Sequence, residues 1–240
     1  MLNTVVIIPT YNEIENIEAI IKAVFSQSSD IHILIVDDNS PDLTGLKVKK
    51  LQHVFTNKLF LEVRKEKSGL GTAYIHGFKW CLEKGYDYIF EMDADFSHNP
   101  KDIIKLYNAC HLENADLAIG SRYKTGVNVV NWPMNRVLMS YLASKYVRLI
   151  TGMKIHDTTA GFVCYKKQVL EGIDLDAVKF IGYAFQIEMK FKAYLKKFNI
   201  VEIPVIFTDR THGESKLSSG IISEAIFGVI SMKLKSVFTK

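Results

Sequence analysis

The sequence predicts an α/β fold built on a mostly parallel central sheet flanked by helices. Apolar runs of strand length alternate with stretches of helical spacing through the first half of the chain, and pairs of acidic residues fall where two of those runs stop. In open sheets of this class, ligands lie beyond the carboxyl ends of the strands.

Each element follows in order. "TVVIIP", from Thr4, is a continuous apolar run that reads as a buried strand, and "NEIENIEAIIKAVF" spaces Ile14, Ile17, Ile21 and Val24 for one helical face. "IHILIVDD" gives a second strand, residues 43–55 a helix, and "LFLEV" a third strand. "GTAYIHGFKWCLEKG" reads as a helix stopping at Gly85, and "YDYIFEMD" as a fourth strand, with another helix after Asn99-Pro100. The second half is less regular: "DLAIGSRY" suggests a strand, 134–150 a helix, "GYAFQIEMKFKAYLKKF" a helix, and "NIVEIPVIFTD" a strand running into "RTHGESKL". Without an internal repeat or a Pro/Gly linker, residues 1–240 read as a single domain, with 217–240 a C-terminal helix.

Composition narrows the function classes. A chain of 240 residues, 48% hydrophobic and 23% charged, can bury a sizeable core. A net charge of +4 favours anionic partners without choosing among them, but no dense Lys/Arg block or nucleic-acid fingerprint is present, so no nucleic-acid partner is expected. Cys81, Cys110 and Cys164 share no short spacing and read as reduced thiols of a cytoplasmic protein. The chain starts directly on a strand without a signal-peptide pattern, and no apolar run reaches the ~18 residues of a membrane span.

The sharpest motif is "FEMDADFSHNP". In an extended chain Asp93 and Asp95 project to one side while Ala94 points away, so two carboxylates meet at a strand end. A hard divalent cation, Mg²⁺ or Mn²⁺, relieves their repulsion and takes oxygen ligands from carboxylates and substrate phosphates. The alternative is helix capping by Asp95 or Ser97. "PTYNE", Pro9 to Glu13, can stack on and hydrogen-bond a nucleoside, or start a helix with Asn12 as its N-cap. "VDDNSPD", Val36 to Asp42, offers Asp38 to a base or ribose, and is also good turn chemistry. In "KSGLGTAYIHGF", Gly69 and Gly71 let the backbone pass close to a ligand or to the sheet. Arg136 and Ser140, four apart, share a helix face and can converge on one anion, with Arg122 of "GSRY" a further phosphate contact. "DRTHGESK" gathers Arg210, His212, Glu214 and Lys216 around Gly213, as a clamp for a diphosphate leaving group would require. His156 and His212 receive no role.

These motifs, in this order, resemble the family 2 glycosyltransferases of the GT-A fold, and most closely the catalytic subunits of dolichol-phosphate and polyprenyl-phosphate mannose synthases. The resemblance runs from about residue 4 to about residue 230. It implies an inverting transfer of mannose from GDP-mannose to a dolichyl or undecaprenyl phosphate, dependent on Mg²⁺ or Mn²⁺. By motif match Pro9, Tyr11, Glu13, Val36, Asp38 and Ala94 would hold the nucleotide sugar, Asp93 and Asp95 the metal, and Arg210 and Lys216 the donor phosphates. Arg122, Arg136 and Ser140 would face the acceptor phosphate, and the catalytic set would be Asp95, Arg122, Arg210 and Lys216. Ser97, Leu43 and Val163 stand where many relatives have Gln, Gly and Arg, which bears on a third metal ligand, the turn after Asp38 and the cations of the acceptor side respectively. Transfer from UDP-glucose or another UDP-sugar, and a non-catalytic sugar-nucleotide-binding subunit, are the alternatives.

The expected partners are a sugar nucleotide, a polyprenyl phosphate, a membrane surface and a membrane-anchored partner subunit, at the cytoplasmic face. Along 217–238, Ser223, Glu224, Ser231 and Lys235 form a polar arc opposite Ile222, Ala225, Ile226, Val229 and Val237, with Phe227 and Phe238 on or near the polar side. The pattern suits a helix lying in a bilayer interface, with Lys233, Lys235 and Lys240 near lipid phosphates, as well as one closing over the core.

Overall fold

The structure, a computed structural model, describes residues 1–182, 184–209 and 219–238. In the first half, β1 (Thr4–Thr10), α1 (Ile17–Phe25), β2 (Ile31–Asp37), α2 (Thr44–Gln52), β3 (Leu59–Val63), α3 (Leu70–Glu83) and β4 (Tyr88–Glu91) alternate as expected. A 3₁₀ turn at Pro100–Asp102 leads into α4 (Ile103–His111), followed by β5 (Leu117–Ser121), β6 (Val129–Val130) and α5 (Met134–Thr151). β7 (Val163–Lys166), α6 (Lys167–Gly172), α7 (Ala184–Leu195), β8 (Ile200–Pro204), β9 (Phe207–Thr208) and α8 (Ser219–Phe238) complete it.

The seven-stranded sheet runs β3-β2-β1-β4-β7-β5-β8, parallel except for β7, which is antiparallel to both β4 and β5. Period-two alternation divides the strands between two cores. Val5, Ile7, Leu34 and Val36 face one cluster with Tyr74, Phe78 and Phe185, whereas Val6, Ile8, Ile33 and Ile35 face the other with Ile17, Ile21 and Leu106. Helices therefore cover both faces, and their continuous apolar strands read as they should for a sheet buried on both sides.

Several boundaries differ for local reasons. Asn12 adopts φ 61° and its N–H donates to Ser40 Oγ, so it does not cap a helix; α1 begins at Ile17, after a turn in which Asn16 and Ile17 both donate to the Glu13 carbonyl. The single strand expected over 199–209 is two, since β8 ends at Pro204 and β9 pairs with β6 instead of with the main sheet. Leu43 occupies the left-handed region at φ 70° just ahead of α2, so a residue with a side chain holds a backbone shape that suits glycine. Gly69, at φ 100°, opens α3, and a Cβ on Gly71 would lie 2.7 Å from the Phe180 carbonyl oxygen; the close approach there is to the 180–181 segment and not to the sheet.

Candidate active site

Strand order decides which motifs meet. β1 lies between β2 and β4, so the carboxyl ends of these three neighbours bring "PTYNE", "VDDNSPD" and "MDAD" to one edge. The register continues past the strands: Thr10 pairs with Asp37, the Asp38 N–H donates to the Thr10 carbonyl at 3.0 Å, and the Met92 N–H to the Ile7 carbonyl at 3.1 Å.

The two adjacent acids of β2 divide their work. Asp37 is buried and internal: Oδ1 accepts from Thr10 Oγ1 at 2.7 Å and Ser40 Oγ at 2.6 Å, and Oδ2 from the Ser40 N–H. Asp38 accepts from Arg64 Nε at 2.6 Å, while Arg64 NH1 donates to Thr72 Oγ1 at 2.7 Å at the start of α3. Pro9 sits in register with Val36, the Lys67 ammonium lies 4.4 Å from the centre of the Tyr11 ring, and the Glu13 N–H donates to Thr44 Oγ1. Pro9, Tyr11, Glu13, Val36 and Asp38 thus gather at one end of the edge, Val36 fully buried, and are joined by Lys67 from the head of "KSGLGTAYIHGF" and by Arg64, which no motif singled out.

Beyond β4, Asp93 is part-exposed, while Ala94 and Asp95 are buried. Asp95 Oδ1 accepts the Ser97 N–H at 3.0 Å. The intervening Phe96 is held at φ 61°, an uncommon conformation for a bulky residue that bends the chain between the second aspartate and Ser97. His98 is buried, stacked on Phe162, and its Nδ1 accepts the Asp93 N–H at 3.1 Å. Burial holds this imidazole well below its usual range, and Arg122 reinforces the shift against the charge of Asp95. A neutral ring is what an Nδ1 acceptor requires. Among the described residues no three His, Cys, Asp or Glu side chains cluster as a complete metal cage. Two carboxylates at a partly open edge nevertheless fit Mg²⁺ or Mn²⁺, which complete their shells with water and substrate phosphate.

On the other side of this loop, Arg122 follows β5 and is gripped by Asp157: Nε donates to Oδ2 at 2.7 Å, NH2 to Oδ1 at 2.6 Å, and the Arg122 N–H to Oδ2 at 2.9 Å. NH2 also donates to Thr159 Oγ1, and the guanidinium lies within 5.5 Å of the ring centres of Tyr123, Trp132 and Phe207. Glu202 of β8 in turn fastens Asp157, accepting the Asp157 and Ser121 donors on Oε1 and the His156 N–H and Nδ1 on Oε2. His156, unassigned from sequence, is therefore a partner of Glu202. Arg136 of α5 donates to Asp209 Oδ1 at 2.7 Å and stacks 4.0 Å from the Trp132 ring, and Ser140, one turn on, faces the Tyr123 phenol. Arg122 enters the site as one half of a buried ion pair, and Arg136 as the more accessible cation. Val163 lies fully buried inside the sheet, in register with Glu91 and Ile119. Arg210, Lys216, His212 and Glu214 lie outside the described residues.

Beneath both halves, Glu91 of β4 and Lys190 of α7 are buried. Burial pushes the Glu91 carboxyl above its usual range and the Lys190 ammonium below its own, each charge opposing the other's shift. Sequence reasoning assigned neither, although a charge inside the run "YIFEM" and another among the apolar positions of α7 were visible signals.

Comparison with known proteins bears on this arrangement. The description "Glycosyl transferase family 2" matches residues 5–174. The chain belongs to this family. It is 46% identical over 226 residues to the polyprenol monophosphomannose synthase of Mycolicibacterium smegmatis, covering 94% of this chain and 85% of that protein. It is 42% identical over 230 residues to the undecaprenyl-phosphate mannosyltransferase of Micrococcus luteus, covering 95% of this chain and 93% of that one. Among solved structures, the glucosyl-3-phosphoglycerate synthase of Mycobacterium tuberculosis with Mn²⁺, UDP-glucose and phosphoglyceric acid superposes with a TM-score of 0.70, covering 97% of this chain and 80% of that one at 15% identity. At that identity the likeness establishes the fold alone, the GT-A fold implied by the motifs of this family 2 chain.

Proposed function

We propose that this family 2 enzyme transfers mannose from GDP-mannose to a polyprenyl phosphate with inversion at the sugar carbon. The observation that carries the reading is that the carboxyl ends of neighbouring strands bring together Tyr11 and Asp38 with their cationic partners Lys67 and Arg64, the Asp93 and Asp95 carboxylates and, beyond β5, the cations Arg122 and Arg136. The high identity to two proteins named for mannosyl transfer to polyprenol and undecaprenyl phosphate supports the acceptor class and the sugar.

In the proposed complex Tyr11 takes the base on its ring once Lys67 moves aside, and Asp38, steadied by Arg64, accepts from base or ribose. Asp93 and Asp95 would hold Mg²⁺ or Mn²⁺, which when bound would supply counter-charge for the diphosphate leaving group. Arg136 and Ser140 receive the acceptor phosphate, and Arg122, held by Asp157, adds its field from behind. A phosphate oxygen attacks the anomeric carbon on the face opposite GDP, and the bond to GDP breaks with its electron pair leaving on the diphosphate. A phosphate acceptor is already anionic near neutral pH, so no side chain must remove a proton. Arg210 and Lys216 are proposed to grip the donor phosphates from the segment outside the described residues.

A polyprenyl acceptor must be met at a membrane. Among the described residues no helix is long and apolar enough to cross one. α8 packs on α5 and α7 with Val229 buried, and leaves Ile226, Phe227, Ile230 and Leu234 exposed, while α5 exposes Met134, Leu138, Leu142 and Leu149. Phe227 is thus exposed as its polar-side place suggested, but Ile226 is exposed as well, and Lys233 turns inward to the Thr151 carbonyl instead of outward to lipid. We take the exposed apolar residues of these two helices as the surface that rests on the cytoplasmic face of the membrane, beside an anchored partner subunit, and brings the phosphate to Arg136.

The test pairs purified protein with Mn²⁺, a short polyprenyl phosphate, and radiolabelled GDP-mannose or UDP-glucose, scoring label extracted into organic solvent. Mannose transfer abolished by EDTA is the expected result. Transfer from UDP-glucose alone would overturn the donor.

A further inference from the structure

The stretch from Gln186 to Lys190 on α7 carries a buried polar chain that reaches both halves of the site. Lys190 is fully buried, and its ammonium donates to the Ala160 carbonyl at 2.6 Å, the Gln186 carbonyl at 3.1 Å and Gln186 Oε1 at 3.1 Å, which accounts for all three of its protons. The Gln186 amide passes the connection on, Nε2 donating to Glu91 Oε2 at 2.8 Å. Glu91 ends β4 two residues before Asp93, clasped in register between Ile7 of β1 and Val163 of β7. Ala160 closes the short loop in which Asp157 and Thr159 hold Arg122. Gly161, next in that loop, lies beside both the Gln186 amide and the ring of His98, whose Nδ1 takes the Asp93 N–H.

We propose that Lys190 is a positioning residue that locks the Arg122-bearing loop to the Asp93-bearing end of β4, fixing the acceptor side of the site against the donor side. A buried ammonium is an expensive way to fill space, because an apolar side chain of similar length would fill it without desolvating a charge. What methionine cannot do is hold a carbonyl on one segment and an amide on another at fixed distances, and misplacement by ~1 Å slows a reaction by about 100-fold. The simpler role is charge balance for Glu91. The two separate, since balance needs only the net charge whereas positioning needs the three bonds.

The kinetic part of the test rests on the mannosyl-transfer reading; the exchange part does not. It uses the full chain with Lys190→Met and with Lys190→Met combined with Glu91→Gln, which removes both buried charges and leaves neither unpaired. Expected in both is a kcat at least about ten-fold lower with donor KM within about two-fold, since the nucleoside edge is untouched. Amide exchange across 157–162, followed by mass spectrometry, is expected to rise about ten-fold while exchange in β1 and β2 stays as it was. Recovery of kcat in the double variant means charge balance alone and overturns the proposal, as does unchanged kcat and exchange in Lys190→Met. Failure of both variants to fold overturns it too, by making Lys190 a stability element. If the wild-type chain transfers no mannose, the functional reading fails, and the exchange measurement still decides whether Lys190 locks the loop.

Discussion

Arg122 and Asp157 meet through two nearly parallel bonds, Nε to Oδ2 at 2.7 Å and NH2 to Oδ1 at 2.6 Å, with Asp157 fully buried. Removing one partner strands the other as an unpaired buried charge, so Asp157→Ala is expected to cost about 3–5 kcal/mol of stability, read as a lower urea midpoint. A loss well under 1 kcal/mol would show that the pair is solvated in solution.

The same pair sets an acid limit. Burial alone would raise the Asp157 carboxyl, but the charge and hydrogen bonds of Arg122 outweigh it and hold it below the usual range. A depressed carboxylate contributes stability that is present above its unfolded pKa, about 3.9, and disappears as pH falls through the lower folded value. Urea midpoints of the wild type should therefore fall below about pH 4, and those of Asp157→Asn should fall less steeply across that window.

Asp93→Ala is expected to lower metal-dependent kcat by about 100-fold or more, because the diphosphate charge loses its counter-ion. Titration of activity with Mn²⁺ checks it; wild-type turnover in this variant would remove Asp93 from the site.

Arg64 steadies Asp38 from the start of the loop that leads to α3. Arg64→Ala should raise the donor KM about ten-fold with kcat changed less, and Arg64→Lys should not restore it, since a point ammonium cannot bridge Asp38 and Thr72 as a planar fork does. Equal KM for nucleotide sugar in the wild type and Arg64→Ala would separate Asp38 from donor binding.

Leu43 is exposed and held at φ 70°, so nothing in a core is lost when it is shortened. Leu43→Gly relieves the left-handed strain, offset in part by a freer unfolded chain, and is expected to stabilise by about 0.5–1 kcal/mol, or ~2 °C in Tm. On the membrane side, Phe227→Glu with Leu234→Glu should leave Tm unchanged and abolish sedimentation with anionic phospholipid vesicles. Undiminished vesicle binding would move the docking surface elsewhere.

Local pattern was enough to place most of these elements. The runs around Val6, Ile35 and Leu61 read as strands because continuous apolar sequence bounded by turn residues has few other uses, and the helix over 70–83 declared itself up to Gly85. β7 did not, because four residues carry too little periodicity to signal a strand, and its antiparallel insertion between β4 and β5 depends on neighbours far along the chain.

By itself the sequence determined the fold class, the family motifs and the acids at the strand ends, since each is written in contiguous residues whose spacing fixes which way side chains point. Only the tertiary structure decided what those residues hold. Asp38 meets Arg64 across 26 positions, Arg122 meets Asp157 across 35, and Gln186 meets Glu91 across 95. Such pairings leave no periodic trace, because they are set by strand order and by the packing of α7 on the sheet, which place buried charges where only a specific partner can offset their desolvation.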